Sequence, residues 1–482
     1  MKNKIVAFNR FEYDGLIDGS DGLAGKYVPA KALYGVQTLR AVGNFPISGV
    51  LLSSFPHIAK SLAMVKLAAA KANVELGLLS KPLADAIITA SQEVIDGKHA
   101  DQFVVDMIQG GAGTSTNMNI NEVIANRALE ILGYNRGEYS HCHPNNHVNL
   151  SQSTNDAYPT AMKIALMRSN ETLVIGLKDL VESFKLKATE FDDVIKMGRT
   201  QLQDAVPMTL GQEFRAFAAL LEKEITNLNK NAELFLEVNM GGTAIGTGIN
   251  SDPRYSSLVV KHLFETTGKP IFLANNLIAA TQDTGDYVMY MSALKCLAIK
   301  LSKISNDLRL LSSGPRTGLN EINLPPMQPG STIMPGKVNP VIAEMVNQVA
   351  QMVRGYDNAV TTAAEAGQMQ LNVMEPTIFY SILTSIKLLE NGMNILKDRC
   401  IKGITANKEH CRQTVFNSIG IITALVPILG YETSAKLANE ALKNNRSVYD
   451  LVLEKGLMTK EELDETLNPE NMIGPRQMRP QG

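Results

Sequence analysis

Between residues 281 and 313 of the 482-residue chain, Tyr287, Tyr290, Leu294, Leu297, Leu301, Ile304, Leu308 and Leu311 alternate spacings of three and four. That is a heptad seam, and it favours a helix lying nearly parallel to another at a shallow angle. A helix of that span is roughly 50 Å long at ~1.5 Å per residue. Such a stripe needs long partner helices, from the same chain or from another copy. Helical patterns also run over 54–97, from about Tyr158 to Asp192, and over 211–236. Ile342, Met345, Val349 and Met352 continue a three-four-three pattern, and helix resumes after Pro376 to about Asp398. From Gly403 onward the chain reads as short helices with turns at Gly430 and Gly456. Strand patterns are scarce. The expected fold is therefore mainly α. A central long-helix bundle domain (151–405) lies between a smaller N-terminal domain (1–150) and a small helical C-terminal domain (406–482).

A hydrophobic content of 45% with 20% charged residues is ordinary for a globular chain, so a sizeable core is available. The net charge of -2 gives no general attraction to nucleic acid or to anionic membranes. No stretch is apolar enough to span a bilayer. Tryptophan is absent and aromatics are only 6%, which leans away from base-stacking platforms. Cys142, Cys296, Cys400 and Cys411 are scattered without a CxxC pair, as suits free thiols in a reducing compartment. The first residues, MKNKIVAFNRFEYDG, carry no apolar run of signal-peptide length, and DGSDGLAG reads as a turn. The expected compartment is the cytoplasm.

Polar side chains collect where the helical patterns break. Pro325, Pro326, Pro329, Pro335, Gly330 and Gly336 crowd the stretch between Leu324 and Gly336, too many breakers for a helix or central strand. PGSTIMPGKVNP, from Pro329 to Pro340, is therefore a loop. Asn339 as an N-cap and Pro340 in the first turn would start the next helix. With Ser331, Thr332, Lys337 and Asn339, such a loop can close over a small anion and exclude water. A plain linker with a surface lysine is the bland alternative. Upstream, GGAGTSTNMNINEVIANRAL runs from glycines through hydroxyls and amides into a helical pattern. It reads either as an anion site at a helix start or as a capped helix after a turn, and it is not a P-loop. His141, His143 and His147 lie close together near Cys142, but Pro144 interrupts them and no second ligand pair follows, so no metal is expected. SQSTND, Ser151 to Asp156, precedes another helix, with Asp156 reading as part of its N-cap. Thr200 and Gln201 fall in what reads as a turn between helices. NMGGTAIGTGINSDPRY, from Asn239, does not fit GxGxxG and brings backbone close either to a substrate or to a neighbouring helix.

Four segments thus end in hydroxyls and amides: Thr114–Asn117, Ser153–Asn155, Thr200–Gln201 and Ser331–Asn339. Their donors, with the charge of Lys337, suit a small dicarboxylate. No cofactor motif accompanies them. A reaction open to such a set is proton abstraction next to a carboxylate, followed by loss of a leaving group, with donors stabilising the charge that develops. Ser331 can serve as base only if its surroundings lower its pKa. Helix length favours oligomerisation, so that different copies supply different segments.

At these residues the chain resembles the aspartase/fumarase superfamily. GSTIMPGKVNP is similar to that superfamily's signature loop, and the likeness continues through HPNNHVNLSQSTNDAYPTA, GRTQLQDAVPMTLGQEF and GGTAIGTGIN to GITANKEHCR and NPENM. The resemblance is greatest to the ammonia-lyase branch. It implies a homotetramer built on long helices, with active sites shared between subunits and no cofactor. The implied reaction takes L-aspartate to fumarate and ammonia by anti elimination through an aci-carboxylate. In that likeness Ser331 is the base, while Lys337, Asn339 and Thr200 bind the α-carboxylate. Thr114, Ser153, Thr154 and Asn155 hold the amino group and β-carboxylate, and Thr332 replaces a second loop serine while keeping a hydroxyl. Where fumarases look like GRTH and SSND, this chain has Gln201 and Thr154. A histidine paired with Glu344 is therefore missing as an acid for a hydroxide leaving group; an ammonium leaving group needs none. A class II fumarate hydratase and a non-catalytic structural member of the fold are the alternatives.

Overall fold

The computed structural model describes residues 9–13 and 25–475. The remaining positions include the start of the chain read for a leader, most of the DGSDGLAG turn and the last seven residues. In chain order the helices are α1 (Val36–Asn44), α2 (Pro56–Glu75), α3 (Lys81–Ile95), α4 (Thr114–Ile131), α5 (Thr154–Glu190), α6 (Leu210–Ala232), α7 (Tyr255–Thr267), α8 (Leu277–Gln282), α9 (Gly285–Leu311), α10 (Val341–Glu365) and α11 (Glu375–Arg399). Six short helices follow between Lys408 and Met472, and Gly430 and Gly456 turn the chain there at φ +74° and +64°. Four two-stranded sheets complete the described residues, so the fold is mainly α as expected.

All eight residues of the predicted seam are buried on α9. The helix itself is shorter than the pattern suggested: 27 residues, about 40 Å. Asp283 is extended and its carboxylate accepts the Gly285 N–H, which fixes the start four residues later than the pattern. The longest described helix is instead α5, with 37 residues or about 55 Å; Pro159 in its second turn gives up one backbone bond, and the Asn155 carbonyl left free accepts the Asn239 amide at 2.9 Å.

The chain divides into two compact units. The first holds Met1–Val174, Thr226–Cys296 and Met352–Leu388. Within it α2 packs on α3 and α7, and α3 packs on α4. Ala59, Ala63, Ala68, Ala69, Ala70 and Ala72 are buried along α2, and small side chains let several neighbours approach it closely. Tyr158 of α5 and Tyr287 of α9 both meet Phe379 of α11 edge-on, at 5.3 and 5.0 Å between ring centroids.

The second unit holds Ile175–Ile225, Leu297–Gln351 and Leu389–Gly482. Here Phe184 of α5 packs on Phe214 and Phe217 of α6. The Asn347 amide of α10 donates to Ser302 of α9 and accepts from Arg309. The stretch read as an interhelical turn at Thr200–Gln201 is a β-hairpin, Ile195–Thr200 paired antiparallel with Gln203–Thr209. Ile195 and Met197 of its first strand are anchored in a core with Val415, Leu425, Leu451 and Leu463.

Candidate active site

In the first unit, α4 and α5 start side by side. Gly113 precedes α4 at φ +89°, and a Cβ there would lie 2.3 Å from the Tyr158 ring, so only glycine fits. Thr114 opens α4, exposed, with its Oγ1 donating to Gly111 O at 2.8 Å. At the start of α5, Ser153 Oγ accepts the Asn155 N–H (3.2 Å) and Asp156 accepts the Ser153 N–H (2.9 Å). That is a reciprocal cap, as the sequence suggested for Asp156. Its second oxygen accepts the N–H groups of Gly241 and Thr243, at 3.1 and 2.9 Å. Burial pushes the Asp156 carboxyl up to about 6, against the pull of those backbone donors and of Lys66. The Asn155 amide donates to Ala244 O at 2.7 Å.

The glycine-rich stretch after Asn239 therefore lies against α5 and its neighbours. A Cβ on Gly246 would sit 2.4 Å from Ile278 of α8, so this part of the segment lies close against a neighbouring helix. The Asn117 amide of α4 donates to Thr154 Oγ1 of α5 at 3.1 Å, so the Thr114–Asn117 and Ser153–Asn155 segments are brought together. Sequence reasoning missed what lies beneath them. Lys66 of α2 is fully buried and donates to the side-chain oxygens of Asn117, Asn149 and Gln152, at 2.7, 3.0 and 2.8 Å. Burial drives its ammonium down to about 7, with Asp156 the opposing charge.

The other two segments lie in the second unit. Gly330 N–H donates to Lys337 O at 2.7 Å and the Asn339 amide donates to Gly330 O at 2.7 Å, closing the signature loop on itself. Asn339 thus closes the loop rather than capping α10, which begins one residue later than expected, at Val341. Ser331 Oγ accepts the N–H groups of both Ile333 and Met334, each at 3.2 Å. These are the local bonds of a serine turn, and they hold the hydroxyl at one place on the loop. Thr332 and Lys337 are exposed on the same loop.

Thr200 and Gln201 are exposed at the hairpin tip. Gln201 and Leu202 take φ +54° and +63°, the conformation of a tight two-residue hairpin turn. Beneath the tip, Lys196 bridges Glu213 and Glu321 at 2.7 Å each, and Arg199 pairs with the second Glu321 oxygen. Burial opposes the Lys196 charge, but the two carboxylates outweigh it and hold its pKa above the ordinary lysine value. This network ties the base of the hairpin to Glu321, ten residues ahead of Ser331. No hydrogen bond among the described residues joins the hairpin tip to the signature loop.

The histidines are occupied locally. His143 Nδ1 accepts from Asn145 and Asn146, His147 Nδ1 accepts from the His143 N–H, and His141 stacks on Tyr134 at 3.8 Å. Glu344 lies in the first turn of α10.

A family model described as lyase matches residues 25–355, and one described as fumarase C C-terminus matches residues 421–474. The chain is 59% identical to the aspartate ammonia-lyase of Helicobacter pylori over 442 residues, 92% of this chain and 94% of that one. It is 56% identical to the aspartate ammonia-lyase of Escherichia coli over 456 residues, 94% and 95% of the two chains. Among solved structures, a fumarate lyase:delta crystallin from Brucella melitensis bound to cobalt superposes with a TM-score of 0.93 at 51% identity, covering 97% of this chain and 100% of that one. A class II fumarase from Schistosoma mansoni does so at 0.90 and 35% identity, with the same coverage.

Proposed function

Because the chain belongs to the aspartase/fumarase superfamily of lyases, we propose that it is a carbon–nitrogen lyase converting L-aspartate reversibly to fumarate and ammonia. The observation that carries the mechanism is the pair of backbone N–H groups on Ser331 Oγ. They orient its oxygen and support reading it as the base, with the rest of the activation coming from water exclusion and the Lys337 charge. Ser331 removes a proton from Cβ, and the electron pair moves into the β-carboxylate to give an aci-carboxylate. That pair then returns to form the double bond as the C–N bond breaks on the opposite face. Neutral donors around the β-carboxylate stabilise the second negative charge in a site closed to water. Thr114, Ser153, Thr154 and Asn155 hold the β-carboxylate and amino group. Lys337, Asn339 and Thr200 hold the α-carboxylate, with Gln201 and Thr332 beside them. Among the described residues the Lys337 ammonium has no protein partner, which leaves its charge for a ligand.

The protein works as a cytoplasmic homotetramer whose active sites are shared between subunits. One stripe on a long helix supports this reading. Ile342, Met345 and Val349 of α10 are only half-buried and Met352 is 52% exposed. Apolar surface of that length is normally covered by another copy.

Following the ultraviolet absorbance of fumarate with L-aspartate and, separately, with L-malate tests the reading. Fumarate is expected from aspartate alone. Fumarate from malate alone transfers the protein to the hydratases, and none from either supports a structural member of the fold. Sedimentation of the same preparation as a single chain contradicts the oligomeric part.

A further inference from the structure

We propose that Lys66 is a positioning residue that sets which way the Thr154 hydroxyl donates, acting through the Asn117 amide. The inference rests on reading Thr154 as a substrate-holding residue. Lys66 stands on an alanine-rich helix with no exposed surface. A lone ammonium in such a place costs several kcal/mol unless its protons are bound. Each of its three protons has an acceptor: Asn117 Oδ1, Asn149 Oδ1 and Gln152 Oε1.

While it is protonated, Lys66 donates and never accepts, and so dictates the orientation of all three amides. Their oxygens must face Lys66 and their NH₂ groups must face away. The NH₂ of Asn117 accordingly donates to Asn149 Oδ1 and to Thr154 Oγ1, at 3.1 Å each. With Thr154 Oγ accepting from Asn117, its own proton is left to point out of the cluster. Thr154 is only half-buried, so that proton is within reach of a ligand. A carboxylate oxygen requires just such a donor. If Asn117 turned over, its oxygen would capture the Thr154 proton, and the hydroxyl would present lone pairs to the carboxylate.

Steady-state kinetics on L-aspartate with Lys66→Met, Asn117→Asp, Thr154→Val and the two double variants with Thr154→Val tests this. Asn117→Asp keeps an acceptor for Lys66 but deletes the donor to Thr154, and so reads the relay even if Lys66→Met fails to fold. Either single variant is expected to raise KM by about ten-fold or more, with kcat falling less. In the Thr154→Val background the same change is expected to alter KM by less than about two-fold, because the relay has lost its endpoint. Equal losses with and without Thr154, or a wild-type KM in Asn117→Asp, overturn the inference while leaving the deamination reading intact. A wild-type protein that makes no fumarate from L-aspartate removes both.

Discussion

Ser331 is half-buried on a loop whose next seven residues are exposed, yet its hydroxyl receives two backbone N–H groups. That geometry depends on Gly330. A Cβ there would lie 2.5 Å from Lys337 O, the carbonyl that accepts the Gly330 N–H. Gly330→Ala is therefore expected to open the loop and lower kcat by about ten-fold or more, about 1.4 kcal/mol of barrier. The melting temperature should hardly change, because the loop is exposed. Wild-type kinetics in that variant would show that loop closure does not position Ser331. Proline and glycine density made this loop legible in the sequence. The task of Asn339 was not legible, since a side chain that caps and one that bonds back to Gly330 look the same in one dimension. Lys66 escaped notice because its partners at positions 117, 149 and 152 meet it only in the fold. The one available signal was a lysine inside VKLAAA, where a buried alanine-rich face forces any charge to find partners.

At the scale of elements, periodicity fixed the identity of α9 but not its ends, which depend on local acceptors such as Asp283. The hairpin was missed because its tip is Gln201–Leu202, without the Asn-Gly or Asp-Gly that announces such turns. Its first strand is held by packing and by ion pairs from distant residues. Glu375, the first residue of α11, is a further case in which burial overrides local preference. A helix N-terminus favours a negative charge. Here burial pushes the carboxyl up to about 8, with Lys163 opposing, and Oε2 has no hydrogen-bond partner. Tyr158 and Tyr287 both feel its charge. The folded state thus binds this proton more tightly than the unfolded chain. The resulting stability is fully present below the ordinary glutamate pKa of about 4.3 and is lost as pH rises through about 8. Asp156 and Glu122 act in the same direction and Lys66 in the opposite one, so the difference between wild type and variant isolates Glu375. Glu375→Gln should flatten the fall in unfolding free energy between about pH 4.3 and 8 by an amount on the order of a few kcal/mol, read from urea unfolding at each pH. Parallel pH curves would contradict an ionisation there.

At the scale of the whole molecule, the reach of the sequence ends where assembly begins. The three-four-three pattern at Ile342, Met345, Val349 and Met352 is real, but α10 buries Ala343, Val346, Ala350 and Val353 instead. Both faces are apolar, and only the fold shows which one this chain covers for itself. Each of the four polar segments was legible by itself, because each sits at an element end where hydroxyls and amides serve caps or ligands equally well. Two of them are joined through Asn117 and Thr154 within one unit, while the other two belong to the second. No helix among the described residues is by itself long and apolar enough to cross a membrane. The account as a whole turns on one proton, the Cβ proton of aspartate, and on the oxygen that takes it. The most direct measurement is the steady-state rate of Ser331→Ala on L-aspartate beside the wild type. A fall in kcat of about 10³ or more, about 4 kcal/mol of barrier, with KM changed only a few-fold, is the predicted result. A variant that turns over within ten-fold of the wild type would mean that another group removes the proton.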